Sequence, residues 1–284
     1  MYRYIKHIMV LTSTASALWI CLAGMAYAGH SKFVDLEGDP KLRSASVLVT
    51  DQHGNVIYTK DQDTVRSIAS ITKLMTAMVI LDADLDMDEK ITITKADRDL
   101  LQLTGSRLEY GASLSRSELI QLALMSSENR AATALGRTYP GGMTAFVKAM
   151  NNKAQQLAMN SSGFADPAGL SVDNVSTASD LTKMLEAASD YPLIEQATTT
   201  LRREVHPYAK RGPLTYGNTN RLLKNANWDI ELSKTGYINE AGRCLVLQAT
   251  IGGEEVSIVL LNSFGKLTPF GDSNRLRHWM LDNS

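Results

Sequence analysis

The sequence predicts an α+β fold in which one antiparallel sheet is built from both ends of the chain. Strand patterns lie near the N-terminus and again after Pro213, whereas helical patterns occupy the middle. With 284 residues, 44% of them hydrophobic, the chain can bury a large core. We therefore expect residues 29–284 to form a single domain of two lobes, with the helical segment inserted beside the sheet and a cleft between them.

The strand assignments depend on short β-type runs that are separated by turn residues. A hairpin is predicted where residues 46–50 and 56–59 flank Gln52-His53-Gly54-Asn55. Gly252-Gly253 is typical of a second hairpin turn. The C-terminal strands are predicted at residues 230–235, 244–251 and 256–262.

The helix assignments depend on apolar periodicity and on one capping signal. Ser115-Arg116-Ser117-Glu118 has the form of a capping box, which opens a helix. The predicted helices cover residues 70–84, 119–138, 144–157, 178–188 and 272–281.

The first 28 residues are predicted to be a cleavable signal peptide. Arg3 and Lys6 precede an apolar stretch that ends in Ala26-Tyr27-Ala28, an A-x-A cleavage signal. The alternative is a membrane anchor, but four hydroxyl residues between positions 12 and 16 dilute the apolar stretch. Cleavage after Ala28 would leave an exported, periplasmic protein of 256 residues that carries no membrane anchor.

The charge and cysteine content of residues 29–284 narrow the functional classes. They contain 27 basic and 30 acidic residues, so neither the balance nor any basic stripe favours a nucleic-acid partner. Cys244 is the single cysteine and lies in an apolar run, which is typical of a core position. The histidines show no metal-binding spacing, and no cofactor is implied.

Three short motifs follow one another along the chain: Ser70-Ile71-Thr72-Lys73, Ser127-Glu128-Asn129 and Lys234-Thr235-Gly236. Read as S-x-x-K, S-x-N and K-T-G, they are the residue set of an acyl transferase with a serine nucleophile and a lysine base. Each motif alone is weak, as a second S-x-x-K at Ser263 to Lys266 demonstrates; that match is interpreted as chance. The ordered triple is a strong signal.

Ser70 is predicted to be the nucleophile and Lys73 the general base. Ser70 begins a helical pattern, where unpaired backbone N–H groups favour an oxyanion. Lys73 lies one turn further along the same face. It can act as a base only if its pKa is lowered, by burial and by a second cation, for which Lys234 is the candidate. Taken alone, the two residues would be interpreted as a helix cap and a surface lysine.

The other two motifs supply groups that contact the substrate. Ser127 could relay a proton to the leaving amine, and Asn129 could bind the substrate backbone; the alternative is a pair of helix caps. Lys234 and Thr235 suit a substrate carboxylate by charge and by hydroxyl group.

The K-T-G motif also contributes backbone. Gly236 has no side chain, so a substrate could lie against the strand edge. The N–H of Tyr237 would then complete an oxyanion hole with the N–H of Ser70.

Several longer segments resemble the low-molecular-mass penicillin-binding proteins, the serine D-Ala-D-Ala peptidases, and most of all the endopeptidases among them. They surround the three motifs and add others: residues 68–77, 124–132, 139–142, 166–171, 190–194 and 218–223. Only 48 residues follow Gly236, so the chain departs from those members that carry an extra C-terminal β-domain and a membrane-binding tail.

The resemblance implies a cell-wall hydrolase that acts on peptidoglycan stem peptides and that β-lactam antibiotics acylate. It favours endopeptidase cleavage of D-Ala–diaminopimelate cross-links through an acyl-enzyme on Ser70, with D-Ala-D-Ala carboxypeptidase activity as the alternative. A β-lactamase shares the motifs, but the E-x-x-L-N segment of the class A enzymes is missing. An inactive cell-wall binding protein is a further alternative, although the reactive residues are all present.

Overall fold

The computed structural model describes residues 31–284 and consists of one large sheet with helices on both faces. The predicted signal peptide therefore lies outside the described residues. The helices are α1 Thr72–Asp82, α2 Arg116–Met125, α3 Asn129–Arg137, α4 Gly142–Gln156, α5 Ala178–Ser189, α6 Pro192–Thr199 and α7 Thr268–Asp282. Three 3-10 helices cover Ala69–Ile71, Lys95–Asp97 and Arg221–Lys224.

The strands divide between one five-stranded sheet and three small pairs. Those of the large sheet are β1 Ser46–Asp51, β2 Val56–Lys60, β9 Asp229–Ile238, β10 Gly242–Ile251 and β11 Glu254–Ser263. The pairs are β3 Arg66–Ser67 with β6 Val175–Ser176, β4 Lys90–Thr92 with β5 Ser113–Ser115, and β7 Arg202–Val205 with β8 Leu214–Gly217.

The large sheet joins the two ends of the chain, as the sequence predicts. Its order is β2-β1-β11-β10-β9, and every neighbouring pair is antiparallel. Strand β1 pairs with β11 through the register Ser46 to Leu261, which brings the N-terminal hairpin onto the C-terminal strands. The predicted fold class is confirmed, and β9 forms one edge of the sheet.

The alternation of side chains along the strands builds an apolar layer on each face. Leu48 and Val246 pack into the cluster on the helical side, together with α1 and α2. Their neighbours Val47 and Leu245 point the other way and pack with α7. Because both faces are covered, the central strands are apolar at successive positions, as their sequences already indicate.

The helical region differs from the prediction at two places that prove to matter. The helix predicted from residue 70 begins with the 3-10 turn Ala69–Ile71, and α1 starts at Thr72. The helix predicted over residues 119–138 is two helices, because Ser127 adopts a left-handed φ of 58° that no helix can contain. The capping box at Ser115 and Glu118 forms as expected.

Other elements escaped prediction because they are short. Strands β3 to β8 have two to four residues each, which is too few to establish a period. Helix α6 has Pro192 at its start, a signal that would have allowed its assignment. Within residues 31–284, no helix is both long and apolar enough to cross a membrane.

Candidate active site

Ser70 lies in the tight turn that precedes α1, with its side chain partly exposed. The preceding Ala69 has φ 48°, a left-handed value that is rare for a residue with a side chain. The Ser70 hydroxyl caps no helix; instead its Oγ accepts a hydrogen bond from Lys73 Nζ at 2.8 Å. The serine and the lysine of the first motif are therefore in direct contact.

Lys73 is completely buried, and its Nζ has three oxygen partners. It lies 2.8 Å from Ser70 Oγ, 2.7 Å from Asn129 Oδ1 and 2.6 Å from the carbonyl oxygen of Ala168. Burial lowers the pKa of Lys73 to about 7, although the carboxylates of Asp166, Glu128 and Asp99 oppose this change.

This geometry determines where the lone pair of a neutral lysine must point. A neutral amine has two N–H donors and one lone pair. The oxygens of Asn129 and Ala168 can only accept, so they take the two donors. The lone pair then faces Ser70, whose hydroxyl is the one partner that can donate a proton. With its pKa at about 7, Lys73 is arranged as a base for Ser70.

Ser127 and Asn129 lie at the junction between α2 and α3. The left-handed backbone of Ser127 turns the chain between the helices, and Glu128 caps α3. Ser127 Oγ accepts a hydrogen bond from Lys234 Nζ at 3.1 Å. Asn129 accepts from Lys73 and donates from Nδ2 to Thr104 Oγ1 at 2.8 Å. The junction thus contacts both lysines.

Lys234 lies on β9 and is almost as deeply buried as Lys73. Burial, together with the charge on Lys73, holds the pKa of Lys234 well below its usual range. The sequence predicted that burial and a second cation, Lys234, would lower the pKa of Lys73. Burial is the cause that lowers it, and the repulsion between the two ammonium groups is felt at Lys234.

The remaining motif residues lie on the edge strand β9, which packs against the turn that carries Ser70. A Cβ at Gly236 would lie 2.8 Å from the carbonyl oxygen of Ile68 and 3.2 Å from the backbone nitrogen of Ser70. Glycine is required there because the strand approaches this turn so closely. The backbone of residues 236–237 consequently lies next to the Ser70 N–H, where an oxyanion hole was predicted.

A segment that sequence reasoning had not assigned a role completes the surroundings of Lys73. The Asp166 carboxylate accepts hydrogen bonds from the backbone N–H groups of residues 168–171 and from Asn174 Nδ2. It thereby fixes the Ala168 carbonyl that faces Lys73. At Gly169 (φ 74°) a Cβ would lie 1.9 Å from the oxygen of Ala69, so the segment touches the turn that carries Ser70.

The sequence held a signal for this segment, since a lone aspartate before Pro-Ala-Gly is typical of a loop that its side chain organises. Thr219 was also missed; its Oγ1 accepts a hydrogen bond from Thr235 Oγ1 at 2.7 Å.

These groups surround a cavity of about 400 Å³ between the sheet and the helical region. Its lining includes Ser70, Ser127 and Asn129 at one end and continues along β9. It is lined further by Thr219, Arg221, Thr235, Gly236, Tyr237, Arg243, Cys244, Lys266, Pro269 and Phe270. The eight residues predicted from the three motifs therefore lie in or beside one cavity.

The weaker sequence candidates do not supply a second nucleophile. Ser263 of the second S-x-x-K is buried and bonded to the Ser44 hydroxyl at 2.7 Å, so it is not a nucleophile. Cys244 is buried, which raises the pKa of its thiol to about 11. Within residues 31–284, no three His, Cys, Asp or Glu side chains are grouped to hold a metal ion.

Comparison with known proteins gives a consistent result. The chain is 49% identical over 241 residues to a D-alanyl-D-alanine endopeptidase of Pseudomonas aeruginosa, and the alignment covers 84% of this chain and 78% of that relative. It is 48% identical over 243 residues to a D-alanyl-D-alanine endopeptidase of Escherichia coli, with 85% of this chain and 78% of that relative covered.

Comparison with solved structures finds the same fold in a known enzyme. The crystal structure of the Streptomyces K15 DD-transpeptidase aligns with a TM-score of 0.79 and 28% identity, covering 87% of this chain and all of that one. The sequence profile of Peptidase S11, described as D-alanyl-D-alanine carboxypeptidase, matches residues 34–265. Since that profile spans most of the chain, and the three motifs meet in one cavity, the chain belongs to the S11 family of serine peptidases.

Proposed function

We propose that this protein is a serine DD-peptidase of peptidoglycan that cleaves D-Ala–diaminopimelate cross-links through an acyl-enzyme on Ser70. One observation carries the proposal: the buried Lys73 Nζ lies 2.8 Å from Ser70 Oγ, with its pKa at about 7. A serine with such a partner can be deprotonated as it attacks. The two relatives at 48 and 49% identity are both named endopeptidases, which supports the same activity here.

In the acylation step, neutral Lys73 takes the hydroxyl proton as Ser70 Oγ attacks the D-Ala carbonyl carbon. The carbonyl oxygen becomes an oxyanion between the N–H groups of Ser70 and Tyr237. The tetrahedral intermediate then collapses, and the C–N bond breaks. The leaving amine takes its proton from Ser127, which is resupplied from the lysine pair through the contact with Lys234.

In the second step, water hydrolyses the ester on Ser70 and releases the D-Ala carboxylate. Lys73 is the base for this water as well, because it is the buried amine next to the ester oxygen. Lys234 and Thr235 bind the carboxylate beside the scissile amide, and Asn129 binds the substrate backbone. β-Lactam antibiotics would acylate the same Ser70, and because their C–N bond lies in a ring, the amine stays attached to the acyl group when the bond breaks.

The second candidate is a D-Ala-D-Ala carboxypeptidase, and the family profile is described by that activity. The two reactions share the acyl group and differ only in the amine that leaves. In one case the amine belongs to terminal D-Ala, and in the other to diaminopimelate of a second stem. The cavity lining continues past Thr235 to Arg243, Lys266 and Phe270, and this extent favours the larger leaving group.

The direct test offers cross-linked stem-peptide dimers and pentapeptide monomers in competition, with chromatography of the products. We expect the dimers to be consumed first. Faster release of terminal D-Ala, with the dimers intact, would identify a carboxypeptidase. If neither substrate were cleaved and no labelled penicillin were bound, the protein would be an inactive binder; rapid turnover of the penicillin would identify a β-lactamase.

The site of action follows from the substrate and from the predicted signal peptide. We propose that the chain is exported and cleaved after Ala28, and that it works in the periplasm. Osmotic-shock fractionation and N-terminal sequencing test this. We expect residue 29 to be the first residue of the periplasmic form, whereas an intact N-terminus in the membrane fraction would contradict it.

A further inference from the structure

The outer end of the active-site cavity carries three basic side chains that form no ion pair with any residue of the described range 31–284. They are Arg221 in a 3-10 helix, Arg243 on β10, and Lys266 in the turn before α7. None of the ion pairs or side-chain hydrogen bonds found within residues 31–284 involves these three side chains. No aspartate or glutamate of the described chain lines the cavity.

Arg243 is held in place without being neutralised. It is paired in register with Tyr237 across β9 and β10, and its guanidinium lies 3.4 Å from the centroid of the Tyr237 ring. A guanidinium stacked on an aromatic face keeps its charge and its outward N–H donors. It is therefore a fixed cation one register position beyond Gly236, in the lining of the same cavity.

Lys266 lines the same cavity from the connection between β11 and α7. It belongs to the second S-x-x-K, whose serine is buried elsewhere, so the motif has no bearing on its role. Its side chain is exposed, yet it lines the cavity together with Arg243 and Phe270. Strongly hydrated cations on a cavity wall attract anions of the ligand that enters.

The two possible leaving groups differ most in negative charge. Terminal D-Ala has one carboxylate, which Lys234 and Thr235 can bind. The second stem of a cross-linked dimer has that carboxylate on diaminopimelate and two more, the terminal carboxylate of its own D-Ala and the α-carboxylate of its γ-linked D-Glu. We call the three basic side chains Arg221, Arg243 and Lys266 the cationic wall. Because it lies outside the Lys234 site, it distinguishes these leaving groups by their number of carboxylates.

We propose that Arg243 and Lys266, assisted by Arg221, form a subsite for the carboxylates of the second stem peptide and so make the enzyme select cross-linked substrate. The inference rests on the proposed function, and it adds the residues that determine specificity. These residues touch the leaving stem and take no part in the proton transfers at Ser70.

The test is a cycle between one side chain and one chemical group of the substrate. The substrates are a cross-linked dimer and the same dimer with primary amides in place of the two outer carboxylates of its second stem. The proteins are the native chain, Lys266→Gln, Arg243→Gln and, as a matched charge control, Lys148→Gln, which removes an exposed lysine on α4. Thermal unfolding midpoints verify that each variant is folded.

Each subsite variant should lose about three- to fivefold in kcat/KM on the carboxylate dimer, because partly exposed charge pairs contribute modestly. In the native enzyme, amidation of the dimer should lower kcat/KM by a larger factor than either substitution does. In Lys266→Gln and Arg243→Gln, amidation should lower kcat/KM by a distinctly smaller factor than in the native enzyme. As the salt concentration is raised, the difference in kcat/KM between the two dimers should become smaller for the native enzyme. Lys148→Gln should behave as the native protein.

Equal losses upon amidation in the native protein and in both variants would overturn the subsite. Failure of the native protein to cleave either dimer while it still binds penicillin would instead count against the endopeptidase function. The two failures are therefore distinguishable in one set of reactions.

Discussion

The two ends of the active-site cavity use the same kind of residue in opposite ways. At the inner end, Lys73 and Lys234 are at most 1% exposed, their Nζ atoms are hydrogen-bonded to protein oxygens, and burial lowers the pKa of both. At the outer end, Arg221 and Lys266 are exposed and, within residues 31–284, unpaired. The comparison indicates that burial converts a lysine into a proton carrier, whereas exposure leaves it a permanent charge that can recognise carboxylates.

The largest expected effect concerns the inner end alone. Ser70→Ala should abolish covalent labelling by penicillin, because the Ser70 hydroxyl both contacts Lys73 Nζ at 2.8 Å and lines the cavity. Gel fluorescence with a labelled penicillin measures the loss, and circular dichroism verifies the fold. If the Ser70→Ala protein were still labelled, and mass spectrometry mapped the adduct to another serine, that serine would be the nucleophile.

The next prediction separates charge from proton transfer at the inner end. Lys73→Arg keeps the positive charge but cannot lose its proton at usable pH, so acylation should fall by about three powers of ten. Stopped-flow measurement of penicillin acylation gives the rate. Near-native acylation in Lys73→Arg would mean that the residue acts only by its charge, and the distinction between the two ends would disappear.

Sequence patterns predicted the sheet well because its strands are long and apolar and its turns carry glycine. Gly252 and Gly253 both adopt positive φ in the turn between β10 and β11, as their sequence indicates. The helical region was harder to predict because its decisive feature is local. The left-handed backbone at Ser127 leaves no trace in apolar periodicity, so α2 and α3 merged into one predicted helix.

The site shows the same division. The three motifs predicted eight residues that the structure brings together around Ser70, but they did not point to Asp166 or Thr219. They could not identify the Ala168 carbonyl, since any residue type supplies a carbonyl, nor the cationic wall, since arginine and lysine are common on surfaces. Such groups become visible only when the fold fixes the distance between them and the reacting atoms.

A smaller effect is expected from the strand that separates the two ends. In Gly236→Ala the new Cβ would meet the Ile68 carbonyl oxygen at 2.8 Å, so β9 must move away from the Ser70 turn. Because this widens the oxyanion site, acylation should fall about a hundredfold, comparable to the loss of one oxyanion donor. Gly212→Ala, at a glycine without a left-handed φ and with open space around it, is the matched control for replacing a glycine without a clash.

The Gly236→Ala loss should appear with penicillin and with dimers alike, since both need the oxyanion site. If only dimer cleavage fell, Gly236 would act in binding the second stem. Gly236 would then belong to the outer end of the cavity and not to the oxyanion site.

The smallest effect tests how the inner end is held together. Asp166 touches no reacting atom, but its carboxylate accepts the N–H of Ala168 at 2.7 Å and thereby positions the carbonyl that binds Lys73. Asp166→Asn retains one acceptor oxygen and the approximate shape, and it removes the charge. We expect a roughly tenfold slower acylation at neutral pH, because the amine is less well oriented toward Ser70.

The pH profile distinguishes this positioning role from simple destabilisation. Burial lowers the pKa of Lys73, and the Asp166 carboxylate is the first among the charges that raise it; Glu128 and Asp99 act in the same sense. Removing the Asp166 charge should lower the pKa of Lys73 further below about 7. Since the neutral amine is the base, the acidic limb of acylation should move to lower pH, whereas loss of folded protein alone would reduce the rate without moving that limb. Asp166→Glu, which keeps the charge, should leave the limb near its native position, and an unmoved limb in Asp166→Asn would show that the aspartate serves the loop and not the lysine.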